Sequence, residues 1–328
     1  MLTGVLALLL LGIGTLALMK GADWFMDGVG DVARRAGISL FVVGIILAGL
    51  EPEEMLTAAI ASGQGNASLA LGNILGNNFT MITIALGLSA ILFPIVLGRE
   101  LRRQAVIATL ISLLPIGLLF LGNISRLAGL LLLVVFVGYT WLLLRVDRQA
   151  IERFQKLEDD DDDDDDDDDN QQAPRQKLWR PLGLVGGGLL GMALGGPAIV
   201  WGAEALTQVV GLSQHVIGAT LVSLATASEM IALGIAAARK RQAEVLVGGV
   251  LGSFAYNLLV TLGLAALVRP LPVDLHQLMI SLPAMILAHL LLLGFIWHGR
   301  LGRLTGAFLL VLYAGFILAM VLTGHQVS

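Results

Sequence analysis

The stretch Gly44–Ile91, GIILAGLEPEEMLTAAIASGQGNASLALGNILGNNFTMITIALGLSAI, decides how this chain folds. Two apolar segments meet in it at a short polar corner, Gly63 to Ser68. The first segment carries three carboxylates, Glu51, Glu53 and Glu54, around Pro52, and the second opens on a cluster of Gly and Asn. Acidic side chains inside a membrane span are costly and by default mark an ion or proton pathway.

The surroundings are lipid-compatible. The chain is 56% hydrophobic and 14% charged, with a mean hydropathy of +0.85, whereas soluble domains carry about a quarter charged residues. Its 40 glycines suit helices packed closely in lipid, where small residues let backbones approach. With no cysteine, disulfides, zinc–thiolate sites and Cys nucleophiles are excluded. The N-terminal run MLTGVLALLLLGIGTLALM lacks a basic start and a small-residue cleavage site, and reads as a retained first span. At about 20 apolar residues per crossing, an all-α membrane protein of ten transmembrane helices is expected. The spans fall at 3–28, 40–62, 67–94, 105–122, 127–145, 182–207, 215–238, 243–268, 277–297 and 305–323.

Basic residues gather in every second loop: Arg34/Arg35, Arg99/Arg102/Arg103, Arg145 to Arg180, Arg239/Lys240/Arg241 and Arg300/Arg303. The opposite loops carry only Arg126 and Arg269 near their ends. The positive-inside rule then places both termini outside and the basic loops in the cytoplasm. Between spans five and six, residues 146–179 hold eleven consecutive aspartates, Asp159–Asp169. Such a run repels itself and stays hydrated. A linker is preferred to a Ca2+-sensing element, because an unordered run loses much entropy in wrapping one ion. A prenyltransferase-type acidic motif needs aspartates at helical spacing inside a cavity, which a homopolymer in a loop does not offer.

Sliding the chain by 176 residues lays Gly44–Ile91 on Thr220–Leu267 without a gap. Glu53 falls on Glu229, Gly72 on Gly248, Gly76 on Gly252 and Leu86-Gly87-Leu88 on Leu262-Gly263-Leu264. Five spans separate the copies, so the second enters the membrane from the other side. The expectation is two inverted five-helix repeats, residues 1–145 and 180–328, joined by the Asp-rich linker. This is an architecture of secondary transporters, with the ion site at the midplane.

In the first copy Pro52 frees the carbonyl of Ala48, which can turn, with those of Gly49 and Leu50, toward a cation. Ser228 stands in place of the proline in the second copy, so the kink there is expected to be weaker, or made by back-bonding of Thr226 and Ser228. Glu53 and Glu229 facing each other in low dielectric would take up a proton or a hard divalent cation such as Ca2+, which prefers six to eight oxygens. Asn73, Asn77 and Asn78 of span three, and Ser253 and Asn257 of span eight, can add oxygens. They read equally as ligands and as interhelical hydrogen bonds. Glu51 and Glu54 have no counterpart, Ala227 and Met230 standing there. On a regular helix Glu51 points away from Glu53, so a vestibule or hydrogen-bonding role is preferred for both. Asp23, Asp27, Asp31 and Glu204 read as interfacial, and the mid-membrane His289 as a hydrogen-bonded packing residue.

The pair AGLEPEE…LALGNILGNN and LATASEM…LVGGVLGSFAYN resembles the two α-repeats of the cation/Ca2+ exchanger superfamily. The sodium/calcium exchanger and prokaryotic Ca2+/cation antiporter branch is the most similar part of it. The resemblance implies essential acids at Glu53 and Glu229, backbone ligands at Gly49 and Ala225, and side-chain positions at Leu50, Thr226, Asn77, Ser253, Met81 and Asn257. Leu50 and Met81 cannot offer a hard cation an oxygen from their side chains, which puts Na+ coupling in question and makes a proton the simpler counter-ion.

The expected function is an antiporter, not an enzyme, that exchanges a divalent cation, Ca2+ first, for Na+ or H+ by alternating access. The metal ligands expected are Glu53, Glu229, Asn73, Asn77, Ser253, Asn257, Thr226, Gly49 and Ala225. No cofactor is expected beyond the transported ions, and the partners are small inorganic cations and the bilayer, without nucleic acid. A prokaryotic plasma membrane is the expected location. A carrier of Mg2+, Mn2+ or K+, a Na+/H+ exchanger, and a transport-inactive sensor or enzyme stand as the alternatives.

Overall fold

Lipid offers backbone groups no hydrogen-bond partner, so apolar runs of this length satisfy themselves as helices. The computed structural model describes residues 2–36, 42, 49, 51–97, 101–161, 179–207, 214–240 and 242–324. Helix α1 covers Leu2–Ala36, and α2 covers Pro52–Gly63. α3 runs over Ala67–Leu92 with a π-helical turn at Met81–Ala85. α4 is Leu101–Leu119 and α5 Arg126–Asp161. α6 is Trp179–Thr207. α7 is three consecutive pieces, Gln214–Ile217, a π turn Gly218–Val222 and Ser223–Thr226, and α8 is Ser228–Arg239. α9 joins Ala243–Tyr256, a π turn Asn257–Thr261 and Leu262–Val268. α10 is Ser281–His298 and α11 Arg303–Gly324.

The offset read from the residues recurs in the backbone. Pro52–Gly63 maps onto Ser228–Arg239, and Ala67–Thr80 onto Ala243–Tyr256, each by 176 residues. The π turns Met81–Ala85 and Asn257–Thr261 match at the same shift. A π turn is an inserted residue's worth of strain and is frequent at functional sites. It recurs in register at the same offset.

Two antiparallel ladders of two residues each join the copies. β1 (Ile95–Val96) pairs with β4 (Arg300–Leu301), and β2 (Asn123–Ile124) with β3 (Leu271–Pro272). Each ladder takes one loop from either copy. Both loops of the first belong to the basic set, and both loops of the second to the other set. These ladders are an addition to the all-helical expectation.

Close helix contacts are made through glycine. A Cβ on Gly129 would stand 2.5 Å from the carbonyl oxygen of Gly263, and one on Gly306 2.5 Å from that of Gly87. α5 therefore meets α9, and α11 meets α3, backbone to backbone. α1 and α6 pair along their length, with Gly188 against the Gly21 carbonyl. α3 and α9 form the centre: their apolar windows are 83% and 94% buried, against 22% for those of α5 and α11. The outer helices turn Leu130, Val134, Val137, Phe308, Val311 and Leu318 outward, as a lipid-facing surface does.

Five helices among the described residues are long and apolar enough to cross a membrane alone: α3, α9, α10, α11 and the Arg126–Arg145 part of α5. The fifth expected span ended at 145, but α5 continues to Asp161 and includes the first aspartates of the run. Residues 162–178, with the rest of the run, lie outside the described residues. α1 also outlasts its expected end, 28, reaching Ala36.

A buried strut ties α7 to two neighbours. His215 Nε2 lies 3.0 Å from Ser281 Oγ of α10, and its Nδ1 lies 3.3 Å from the Ser68 carbonyl of α3. Replacing His215 by Ala removes both bonds and leaves a cavity, a combined loss of about 2–4 kcal/mol. The melting midpoint in detergent is expected to fall by several degrees; an unchanged midpoint contradicts the strut.

Candidate functional site

Proline at the first helical position is pre-organised for helix but disfavours the helical conformation in the residue before it. α2 begins on Pro52, and Glu51 precedes it with φ −125° and ψ 74°, outside the helix. Gly49 lies in a turn just before. The regular-helix premise therefore fails at Glu51. Its side chain is fully buried and reaches across to both central helices. Its Oε2 accepts from Asn257 Nδ2 of α9 at 2.7 Å and from Asn77 Nδ2 of α3 at 3.3 Å. Glu54, equally buried, accepts from Asn73 Nδ2. The hydrogen-bonding role expected for these two acids is what the geometry gives, but deep inside the centre and not in an open vestibule.

Glu53 stands in the first turn of α2; its side chain, with those of Ala225 and Thr226, lies outside the described residues. Glu229 opens α8 in the same register and is 5% exposed. The helix dipole favours a carboxylate in the first turn, the place Glu229 takes in α8. The second copy has Ser228 where the first has Pro52. Only Ala227 interrupts the helix, at φ −64° and ψ −9°, and bonds from Ala227 N to Ser223 O and from Ile231 N to Ala227 O bridge the gap. Thr220 and Ser223, nearer the start of α7, back-bond to Val216 O at 2.7 Å and Ala219 O at 2.8 Å, and the Thr226 side chain lies outside the described residues.

α2 and α8 each pack against both α3 and α9. Four helix segments thus enclose the polar centre, with Asn73, Asn77, Asn78, Ser253 and Asn257 all fully or almost fully buried. Asn257 is fixed from its other side, its Oδ1 accepting from Thr261 Oγ1 at 3.1 Å. The Oδ1 atoms of Asn73, Asn77 and Asn78 and the Oγ of Ser253 make no hydrogen bond among the described residues. A buried acceptor left unmade costs about 1–3 kcal/mol, and such atoms mark where an ion or water belongs. Carboxylate, carboxamide and hydroxyl oxygens are hard ligands of the kind Ca2+ and Na+ take. Among the described residues no three His, Asp or Glu side chains converge as in a resident metal centre.

Met81, the counterpart of Asn257, is fully buried at the start of its π turn and adds no oxygen. Leu50 lies outside the described residues. His289 is a packing residue, 2.8 Å from Thr109 Oγ1 and stacked on Phe254 at 4.0 Å. Asp27 sits at the periphery and pairs with Lys240, which also donates to the Asp23 carbonyl at 3.1 Å. Glu204 has no described side chain. Sequence reasoning treated Glu51 as helical, although Pro52 follows it immediately. It also passed over His215, which no periodicity marks.

Helices turned outward to lipid around a buried, acid- and amide-lined centre define a membrane protein of the ion-transporter class. Comparison with known proteins gives the family. The sequence profile "Sodium/calcium exchanger protein" matches residues 6–145 and 180–322. The chain belongs to the sodium/calcium exchanger family. It is 28% identical to the sodium/calcium exchanger MaX1 of Methanosarcina acetivorans, covering 95% of this chain and 97% of that protein. It is also 28% identical to the putative antiporter CaxA of Alkalimonas amylolytica, over 93% and 95% of the two chains. A solved structure of the sodium-calcium exchanger NCX_Mj soaked with Na+ and Sr2+ superposes with a TM-score of 0.73 at 26% identity, over 95% of this chain and 97% of that one.

Proposed function

We propose that this protein is a secondary antiporter exchanging a divalent cation, Ca2+ first, for Na+ or H+ by alternating access. One observation carries the reading: two acid-bearing helix starts, Glu53 on α2 and Glu229 on α8, stand 176 residues apart and pack on the same two central helices. Membership of the exchanger family and the relatives named above support the same reading.

The architecture proposed is ten membrane helices in two oppositely inserted repeats, α7 and α8 forming one span and α2 ending another. Support comes from the recurrence of element bounds and from the ladders, each joining loops of one charge class. Both termini then lie outside and the Asp-rich linker 146–179 in the cytoplasm of a prokaryotic cell. The ion ligands proposed are Glu53, Glu229, Asn73, Asn77, Ser253, Asn257 and Thr226, with backbone carbonyls at Gly49 and Ala225.

Coupling follows from electrostatics. Closing a site with uncompensated carboxylates in low dielectric is costly, so the carrier crosses only when loaded with the divalent cation or its counter-ions. The paired α1 and α6, joined mainly to each other, are the elements suited to slide past the rest. Met81 in place of a polar side chain favours H+ over Na+ as counter-ion.

The protein reconstituted in liposomes tests this, with 45Ca2+ uptake driven in turn by an outward Na+ gradient and by a pH gradient. Uptake under at least one gradient is expected. No gradient-driven flux of Ca2+ sinks the Ca2+ reading, and no flux of Mg2+, Mn2+ or K+ either sinks the carrier reading.

A further inference from the structure

The two copies differ at two buried acids, Glu51 and Glu54, and of these Glu51 is the one held by both central helices. Where the first copy has Glu51, the second has Ala227, itself buried. The difference extends to the facing helix. Asn77 of α3 donates to Glu51 at 3.3 Å, and its counterpart on α9 is Ser253, too short to play that part toward an alanine. A carboxamide can hold a carboxylate through Nδ2 while offering Oδ1 elsewhere. Asn77 Oδ1 and Ser253 Oγ are both buried and make no hydrogen bond among the described residues. Asn257, locked by Thr261, completes the cradle at 2.7 Å. The amides orient the Glu51 carboxylate without neutralising it.

We propose that Glu51 is a further carboxylate ligand of the cation site, supplied by the first copy alone, and that its charge tilts the site toward divalent over monovalent cations. The inference rests on the function proposed above. Coulomb energy scales with ion charge, so one unit of negative charge acts twice as strongly on Ca2+ as on Na+. A role as a mere strut for the two asparagines has a different signature. Gln at position 51 has the same length and keeps an acceptor oxygen for Asn257, but has no charge.

The test is equilibrium binding of 45Ca2+ to the purified full-length protein, with Na+ titrated as competitor. Glu51→Gln is expected to weaken Ca2+ binding at least tenfold and Na+ binding by about the square root of that factor, roughly threefold. Glu51→Asp, which keeps the charge, should hold the Ca2+/Na+ affinity ratio within about threefold of the unmodified protein. Unchanged binding in Glu51→Gln, or equal losses for both ions, overturns the proposal. So does a loss of the ratio in Glu51→Asp as large as in Glu51→Gln. Glu229→Gln separates the two levels of the argument. Loss of Ca2+ binding there with none in Glu51→Gln defeats this inference alone. Absence of Ca2+ binding by the unmodified protein defeats the functional reading, and this inference with it.

Discussion

Glu229→Gln is expected to cut gradient-driven 45Ca2+ uptake by about a hundredfold or more while leaving the protein folded. The substitution keeps the shape of a side chain that is 5% exposed and removes one unit of charge from the site. At about 4 Å and an effective dielectric near 20, a unit charge pair is worth about 4 kcal/mol, and a divalent ion doubles that. Even a third of the total corresponds to about two decades in affinity. Gln retains a carbonyl oxygen, so neither the first turn of α8 nor its packing against α3 and α9 needs to change. Uptake within tenfold of the unmodified protein, at equal reconstitution, would remove Glu229 from the site.

The second large effect is on folding. A Cβ at Gly76 would lie 2.5 Å from both the Cα and the carbonyl oxygen of Ala219, where α3 crosses the π turn of α7. These are backbone atoms and cannot swing aside. Gly76→Leu must therefore part the two helices that carry Asn77 and Ser223. Overpacking of even a yielding core costs about 1–3 kcal/mol, and here no rotamer relieves it. The expected outcome in detergent is loss of the monodisperse species, or a melting midpoint lowered by roughly 10 °C at about 2–4 °C per kcal/mol. Gly138, with open space around it on the outer helix α5, is the control: Gly138→Ala should leave the midpoint unchanged or slightly raised. Equal behaviour of the two variants contradicts the close crossing.

Much of this was legible in the residues because duplication and hydropathy leave long signals. The 176-residue offset joined Glu53 to Glu229, and the same offset governs the helix bounds and π turns. The span expected at 243–268 has the limits of α9. What was not legible depended on local or non-periodic effects. The segment from Val146 to Asp161 was read as linker because it is polar. Its Arg, Gln, Glu, Lys and Leu are nevertheless good helix formers, and α5 continues through them. Two-residue ladders have no period to detect, so the pairing of Ile95 with Leu301 had no signature. Glu51 was expected to point away from Glu53 by treating it as helical, although the proline after it disfavours that conformation.

The central claim is that the transported divalent cation binds where the two acid-bearing helix starts meet α3 and α9. Anomalous scattering from crystals of the purified protein soaked in Sr2+ tests it directly. The account predicts the strongest peak among Glu229, the acids at the start of α2 and the amides of Asn77 and Asn257. A strongest peak elsewhere, such as on the aspartate run 159–169, with no density at that centre, would contradict it.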